Sequence, residues 1–347
     1  MQTSDDARFY ARLSFFIYIL ILLLLSLIVL GAFIRTGING YGRAMFNDQV
    51  SGTAYKPFVY RALVPFLIRT ISSTIPQSTK IELDRWVRKN CNKQTVQQVL
   101  SGINFTDFAI AGCILYLSII GFAWVFMYFI QTFYTTNSQY LYLLSLIGVA
   151  GLPAFFKYYS YLYDFTHLFL FTLGLTLLAR AKWIPYLFVL TITTVSKETS
   201  LLLIFVYFLV YRTLLARPSF ILLSIAQVFL YVIIRVLLLF TFKYNPGSVV
   251  EFHLGYNLHL EPYPISQFVA LVIIGIAITY DWANKPIFLR YSLLILVPLL
   301  LMSLIFGFLD EYRGYYEVYP IILLLIAHTI TRILSVCSFE VKSLYKA

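Results

Sequence analysis

Residues 13–34, with the sequence LSFFIYILILLLLSLIVLGAFI, contain no charged side chain. About 20 apolar residues are enough to cross the hydrocarbon core of a bilayer as an α-helix. Arg8 and Arg12 precede the run. The run is too long for the apolar region of a cleaved signal peptide, and no small-x-small cleavage site ends it. We predict a signal anchor whose N-terminus lies in the cytoplasm.

The rest of the chain continues this apolar pattern. Of its 347 residues, 60% are hydrophobic and 12% are charged, whereas a soluble domain carries about 25% charged residues. Further apolar runs are centred near Ile119, Leu144, Phe171, Phe188, Phe205, Phe229, Ile274, Ile295 and Leu324. We therefore predict an all-α integral membrane protein with about ten transmembrane helices. Residues 1–347 are expected to form a single polytopic membrane domain.

The positive charge is dispersed. The formal net charge is +11, but Lys and Arg residues lie scattered between the apolar runs. This pattern does not form the basic domain typical of nucleic-acid-binding proteins. We expect membrane lipids as partners, through anionic head groups or a phosphorylated lipid, and no nucleic acid. Cys91, Cys113 and Cys337 are too far apart to indicate a disulfide framework or a metal site.

The topology depends on residues 55–75. Three cations and two prolines interrupt this segment, namely Lys56, Arg61, Arg69, Pro57 and Pro65. Prolines disfavour a regular transmembrane helix, and an amphipathic basic helix favours the interface. If the segment lies on the outer surface, the basic loops at residues 180–182 and 212–217 fall inside, as the positive-inside rule favours. We predict that residues 35–107 form one long outer loop with interfacial helices, and that both termini are cytoplasmic.

Asp48 is the first candidate catalytic residue. It follows Asn47 in this loop, between Gly42 and Gly52. A carboxylate on a glycine-bordered loop at a membrane surface can act as general base toward a hydroxyl group. The alternative interpretation is a solvated Asp or an Asx turn.

Other outer charges form candidate binding groups. Arg61 and Arg69 are spaced to share one helical face toward phosphate, or to anchor the segment at the interface. Asp164, with His167 in the next turn, begins an apolar run, and Asp164 alternatively caps that helix. Lys197 and Glu198 join two short apolar runs and alternatively form a structural pair.

The last outer turn, residues 310–317, reads DEYRGYYE. Its Asp310, Glu311, Arg313 and Glu317 stand among three tyrosines, a combination suited to binding a phosphorylated sugar. Arg235 lies inside an apolar run. Because an unpaired charge there costs at least about 2.5 kcal/mol, Arg235 requires an anionic partner from the protein or from a ligand.

Several chemistries lack their motifs. The sequence has no Walker-type phosphate loop, no dinucleotide-binding glycine motif and no His-Glu-x-x-His. A nucleotide-driven pump and an intramembrane metalloprotease are therefore disfavoured.

The order of these features resembles the GT-C superfamily of membrane glycosyltransferases, which use polyprenyl-phosphate sugars. The features are a cytoplasmic start, one helix, a long outer loop with Asn47-Asp48 and surface helices at residues 55–75. Later outer loops carry Tyr163-Asp164, Lys197-Glu198 and residues 310–317. Many members have two adjacent acids in the first loop, whereas this chain has one beside an asparagine.

The resemblance implies a lipid-linked sugar donor, a glycan or lipid acceptor, and transfer on the extracytoplasmic face. Asp48 would be the base, and Arg61, Lys197, Arg235 or Arg313 would stabilise the leaving phosphate. Asp164, Glu198, Glu311 and Glu317 would orient sugar hydroxyls or a divalent cation, with no other cofactor expected. We expect a role in cell-envelope polysaccharide synthesis. The membrane is expected to be a bacterial inner membrane, since the predicted domain is compact and carries no retention signal.

Two other classes share parts of this pattern. A polysaccharide polymerase or ligase is expected to have a larger, arginine-rich late loop. A lipid or oligosaccharide transporter is expected to have charges at mid-membrane and repeated halves. A membrane protein with only a structural role is a further alternative to the glycosyltransferase. Convergence of Asp48, Arg235 and residues 310–317 on one cavity would favour the glycosyltransferase.

Overall fold

The computed structural model describes residues 4–38, 40–90, 102–259, 263–335 and 339–342. About 75% of these residues are helical and very few are in strands, which confirms the all-α expectation. Their two strands, β1 (Tyr134–Thr135) and β2 (Glu340–Val341), pair antiparallel with Tyr134 opposite Val341. Cys91 and Cys337 lie outside the described residues, and Cys113 is a free, exposed thiol.

The helices vary widely in length. In chain order they are α1 (Ser4–Arg35), α2 (Phe46–Ser51), α3 (Leu63–Ser73), α4 (Gln77–Asn90), α5 (Phe105–Phe133), α6 (Ser138–Ala150), α7 (Asp164–Ala179), α8 (Trp183–Ser196), α9 (Leu201–Tyr211), α10 (Arg217–Thr241), α11 (Leu254–Asn257), α12 (Ile265–Thr279), α13 (Ile287–Ser292), α14 (Leu296–Phe306) and α15 (Tyr319–Ile333). Short 3₁₀ turns occupy Phe58–Tyr60, Leu152–Phe155, Glu198–Ser200, Trp282–Asn284, Leu293–Ile295 and Tyr312–Tyr315.

Five segments of the described chain are long and apolar enough to cross a membrane. They are Arg8–Arg35, Phe105–Phe133, Ser138–Phe155, Arg217–Thr241 and Ile287–Phe306. Six shorter apolar helices accompany them, namely Leu63–Ser73, Asp164–Ala179, Trp183–Ser196, Glu198–Tyr211, Ile265–Thr279 and Tyr319–Ile333. The chain therefore has the helices of a membrane protein, but length alone accounts for five of the expected ten spans.

The short helix α7 lies inside the bundle. It packs against α5 and α8, and most of its side chains are buried. Gly174 permits a close approach, because an added Cβ would lie 2.7 Å from Leu203 on α9. Helix α7 rises by about 24 Å at 1.5 Å per residue, less than the hydrocarbon thickness. Shelter within the bundle accommodates its length.

Polar contacts gather at the two ends of the bundle. At one end, Lys342 donates to the carbonyl of Phe133, Arg180 donates to Thr132, and Asp281 contacts His328. We call this the tail end. At the other end, Arg61 pairs with Glu198 and Lys157 pairs with Asp310. We call this the cavity end. Loops that the positive-inside rule assigned to the same side of the membrane therefore contact each other.

Residues 55–75 form a 3₁₀ turn followed by α3, which has 11 residues. Helix α3 buries Val64 and Ile68 and exposes Phe66, so one apolar face packs on the protein. The expectation that Arg61 and Arg69 share a helical face was wrong, because Arg61 precedes α3 and turns toward Glu198. Arg69 donates instead to the carbonyl of Val50.

Candidate functional site

The cavity end of the bundle, where Arg61 pairs with Glu198, contains a cavity of about 660 Å³. Seven residues singled out by the sequence line it: Arg61, Asp164, Lys197, Glu198, Arg235, Glu311 and Arg313. They come from the turn before α3, the start of α7, the α8–α9 junction, α10 and the segment before α15. Four other candidates, Asp48, His167, Asp310 and Glu317, are not among the lining residues.

Arg61 forms a two-pronged ion pair with Glu198. Its Nη2 lies 2.6 Å from Glu198 Oε1 and its Nε lies 3.3 Å from Oε2. Burial opposes the charge of Arg61, but Glu198 outweighs it and holds the pKa of Arg61 above its usual value. The expected structural pair between Lys197 and Glu198 is not formed in this arrangement, since Glu198 pairs with Arg61 and Lys197 pairs with Glu317. A bidentate guanidinium pair has a defined orientation, which fixes this wall of the cavity.

Two tyrosines and two arginines form a stack along the cavity wall. The rings of Tyr161 and Tyr163 lie 5.4 Å apart and nearly parallel, at 7°. The Arg313 guanidinium lies 3.7 Å from the Tyr161 ring centroid, and the Arg61 guanidinium lies 4.5 Å from that of Tyr163. We call Arg313, Tyr161, Tyr163 and Arg61 the cation–aromatic stack. Cation–π contacts hold both guanidinium groups in place.

We expect the ring of Tyr163 to stabilise this wall. Tyr163→Leu should lower the free energy of unfolding by about 3 kcal/mol, because it removes both a desolvated cation–π contact of about 2 kcal/mol and the hydrogen bond from Arg61 of about 1 kcal/mol. Tyr163→Phe keeps the ring and loses only the hydrogen bond from Arg61, so the loss should be about 1 kcal/mol. Denaturant unfolding in detergent measures both values. Tyr244→Leu, at an exposed tyrosine, is the control. Equal losses in the two Tyr163 variants would contradict a role for the ring.

Arg313 is shared by two carboxylates. It pairs with Glu311, and its Nη1 lies 3.9 Å from Asp164 Oδ2. Asp164 Oδ2 also accepts the Tyr161 N–H at 3.2 Å. Asp164 therefore does not cap α7 as one interpretation expected. It is the first residue of the helix, and its side chain closes the preceding turn.

Arg235 enters the cavity from α10 without a full set of partners. Its Nη1 is buried and has no hydrogen-bond partner among the described residues. Its guanidinium lies 5.6 Å from the ring centroid of Tyr60. Glu198 interacts with Arg235 through charge, but its oxygens are the acceptors for Arg61. A buried donor without an acceptor is costly, so an anion in the cavity would be favoured here.

Glu317 and His167 lie behind the cavity wall. The side chain of Glu317 is fully buried and that of His167 is 1% exposed. Glu317 Oε1 lies 2.7 Å from Lys197 Nζ and 3.1 Å from His167 Nε2. Neither residue is among those that line the cavity, so contact of these two residues with a substrate stays a prediction without support from the cavity geometry. Lys197, on the cavity side of Glu317, does line the cavity.

Asp310 is also enclosed. Its side chain is 1% exposed, and Oδ2 accepts from Lys157 Nζ at 2.6 Å and from the Tyr158 hydroxyl at 2.5 Å. Asp310 is not among the residues that line the cavity, whereas its partner Tyr158 is, so contact of Asp310 with a substrate stays a prediction. Lys157 and Asp310 hold the segment before α7 against the segment before α15.

Asp48 lies in α2, apart from the cavity lining. Its carboxylate accepts the Thr53 hydroxyl at 3.4 Å, and its carbonyl accepts the Thr53 and Ala54 N–H groups where α2 ends. The anticipated convergence with Arg235 is therefore not found. The catalytic role of Asp48 stays a prediction from resemblance, without support from the cavity geometry.

Sequence reasoning missed part of the lining. Residues Glu251 and His253, and the apolar residues Leu299, Met302 and Phe306, also face the cavity. The alternation of tyrosines at 159, 161 and 163 was visible in the sequence, and all three tyrosines line the cavity. The apolar side chains carried no such signal, since lipid-facing and cavity-facing leucines look alike.

Most of the acidic side chains at the cavity end pair with cations, as Glu198, Asp310 and Glu317 do. Within the described residues, no group of three His, Cys, Asp or Glu side chains is placed to hold a metal ion. No known family, curated protein or solved structure matches this chain.

Proposed function

We propose that this protein is a membrane glycosyltransferase that moves a sugar from a polyprenyl-phosphate donor to a glycan or lipid acceptor on the extracytoplasmic face. The observation that carries the proposal is Arg235, which lines a charged cavity at one end of an apolar helical bundle and whose Nη1 has no hydrogen-bond partner among the described residues. Such a cavity favours a ligand that is anionic at one point and mostly apolar elsewhere.

The charges in the cavity are arranged unevenly. Near Arg235, the Arg61 charge is matched by Glu198 and the Lys197 charge by Glu317, so the charge of Arg235 is in surplus. Near Arg313, two carboxylates share a single guanidinium. This polarity supports a phosphate beside Arg235 and Lys197, and an acceptor hydroxyl beside Asp164 and Glu311.

The cavity also has an apolar wall. Leu299 and Met302 of α14 face it, together with Phe306 at the end of that helix. An isoprenoid chain bears no hydrogen-bonding groups, so it gains free energy by burial against such side chains. The combination supports a lipid phosphate over a free sugar phosphate as the donor.

The proposed reaction is a single displacement. The acceptor oxygen bonds to the anomeric carbon as the bond from that carbon to the phosphate oxygen breaks. The acceptor proton moves to a cavity carboxylate, for which Asp164 has the better geometry because Glu311 is in direct contact with Arg313. The polyprenyl phosphate leaves with the bonding electrons, and Arg235 and Lys197 stabilise its charge.

The proposed topology has ten crossings. The five long segments would be joined as spans by α7, α8, α9, α12 and α15, with α3 lying at the interface. The termini and the tail end would be cytoplasmic, and the cavity would face outward in a bacterial inner membrane. Contacts among the loops at each end are consistent with this arrangement.

Cysteine labelling tests the topology. In a variant without native cysteines, single cysteines at the exposed positions Ser138, Lys182 and Ala283 should react with a membrane-impermeant maleimide only after the cells are opened. A cysteine at the exposed Ser248 should react in intact cells. Labelling of the first three sites from outside would reverse the orientation and remove the extracytoplasmic active face.

The function itself is tested by transfer. Purified protein in lipid nanodiscs should transfer radiolabelled sugar from at least one member of a panel of polyprenyl-phosphate sugars to a glycan or lipid acceptor. Protein inactivated by Arg235→Leu is the control for spontaneous transfer. If the protein transfers sugar from no donor but transports a lipid-linked sugar across the bilayer, the proposal is wrong and the protein is a transporter.

A further inference from the structure

Glu317 occupies an unusual place for an acidic residue near a cavity. It immediately precedes Val318 and α15, and its neighbours Tyr316 and Val318 are each 1% exposed. Its own side chain is fully buried. A lone carboxylate in such surroundings would be strongly destabilising, so its partners must account for it.

The polar contacts found for Glu317 all involve one of its two carboxylate oxygens, Oε1. Oε1 accepts from Lys197 Nζ at 2.7 Å, accepts the Thr199 hydroxyl, and lies 3.1 Å from His167 Nε2. His167 Nε2 is in turn 3.1 Å from Thr199 Oγ1. The donors come from α7 and from the α8–α9 junction, so a single carboxylate ties three segments of the bundle together.

Lys197 is the cation of this cluster that reaches the cavity. Its side chain is 10% exposed, and it lines the cavity together with Thr199, while Glu317 and His167 stand behind them. An ammonium group has three N–H donors. Among the described residues, Glu317 is the hydrogen-bond partner found for Lys197 Nζ, which leaves donors for a ligand on the cavity side.

We infer that Glu317 is a positioning residue: it holds the Lys197 ammonium at the cavity wall, where that ammonium donates to the phosphate of the bound lipid. The inference rests on the proposed function for the identity of the phosphate, and on geometry for the positioning. A flexible lysine has many rotamers, and an anchored ammonium reaches its ligand without losing that freedom on binding. Other charges near Lys197 are Asp164 on α7 and Glu198 in the adjoining turn, and Glu198 is paired with Arg61.

The first experiment reads the position of Lys197 without any substrate. The protein in nanodiscs is treated with a small amine-acylating reagent, and modification of Lys197 is followed by mass spectrometry. Glu317→Gln should accelerate the modification several-fold, because the loss of the charged acceptor releases the Lys197 side chain from its anchor. Glu317→Asp, which keeps the charge, should react at a rate close to the wild type. Equal rates in Glu317→Gln and wild type would overturn the inference.

The second experiment reads binding of polyprenyl phosphate in a double-mutant cycle. Lys197→Met and Glu317→Gln should each weaken binding by about tenfold, and the double variant should be no weaker than Lys197→Met alone. Independent, multiplicative losses would show that Glu317 acts elsewhere. The double variant removes both charges, so it also guards against misfolding caused by one unpaired buried ion.

Lys285→Met is the matched control. Lys285 is 2% exposed and donates to backbone carbonyls of Ala277, Ile278 and Leu325 near the tail end. Its loss should lower the thermal unfolding midpoint while leaving polyprenyl-phosphate affinity unchanged. If the wild type binds no polyprenyl phosphate, the proposed function fails, and the acylation rates still decide whether Glu317 positions Lys197. If binding occurs without coupling between the two residues, only the inference fails.

Discussion

Arg235→Leu is expected to weaken binding of polyprenyl phosphate by about 30-fold or more while the protein remains inserted. The reason is that Arg235 lines the cavity and that its Nη1 has no acceptor among the described residues. A charge-assisted hydrogen bond to phosphate contributes about 2 to 3 kcal/mol, which corresponds to about 30- to 150-fold in affinity. Isothermal titration in nanodiscs measures the loss.

The chain offers a matched control at the tail end. Arg290 is also partly buried, its guanidinium lies 6.0 Å from the ring centroid of Trp282, and its Nε has no hydrogen-bond partner in the described part of the chain, but it does not line the cavity. Arg290→Leu should leave the affinity unchanged. Arg235→Lys should bind with intermediate affinity, because a lysine keeps the charge and loses the planar fork. Full affinity in Arg235→Leu would instead identify Arg235 as a structural cation paired by charge with Glu198.

Asp164→Asn is expected to lower sugar transfer by about 100-fold or more with little change in donor affinity. An asparagine keeps the size of the side chain and cannot accept the acceptor proton, and general base catalysis contributes about 10² to 10⁴ in rate. The amide oxygen of the introduced asparagine would still accept the Tyr161 N–H that Asp164 Oδ2 accepts in the native protein, so the turn before α7 should persist. Turnover and donor affinity are measured on the same preparation.

Two further substitutions decide between the candidate bases. Glu311→Gln should reduce turnover less than Asp164→Asn, since Glu311 is neutralised by direct contact with Arg313. Asp48→Asn distinguishes the prediction from the family resemblance from the prediction from the cavity geometry. The resemblance predicts that Asp48→Asn causes the large loss of turnover, whereas the cavity lining predicts that Asp164→Asn causes it. A large loss of turnover in Asp48→Asn with near-normal turnover in Asp164→Asn would identify Asp48, in the first loop, as the general base.

Local features were predictable from the sequence. The apolar runs centred near Phe171 and Phe188 became α7 and α8, which end just before the charged residues Arg180 and Lys197. Such limits follow from hydrophobic length and from the charged residues that end each run, both of which are local properties. The prolines and cations of residues 55–75 likewise indicated a short helix, and α3 has 11 residues.

The partners of the charged side chains were not predictable. Adjacent residues suggested a Lys197–Glu198 pair, but Glu198 pairs with Arg61, 137 positions away, and Lys197 pairs with Glu317, 120 positions away. Asp310 and Glu317 looked alike as outer-loop acids, and both are buried. A charge at a helix end can meet any charge at the same end of the bundle, and the order of neighbouring helices decides which one it meets.

The sequence by itself determined that this protein is built largely of apolar helices, which are compatible with a lipid bilayer. A backbone in hydrocarbon must satisfy its own hydrogen bonds, so long apolar runs can form only helices there. The tertiary structure alone decided that Arg235 Nη1 has no hydrogen-bond partner among the described residues, that Lys197 is anchored by Glu317, and that Asp164 faces the cavity while Asp48 does not. Those outcomes depend on which helix faces turn toward each other, a property of packing among residues far apart in the chain.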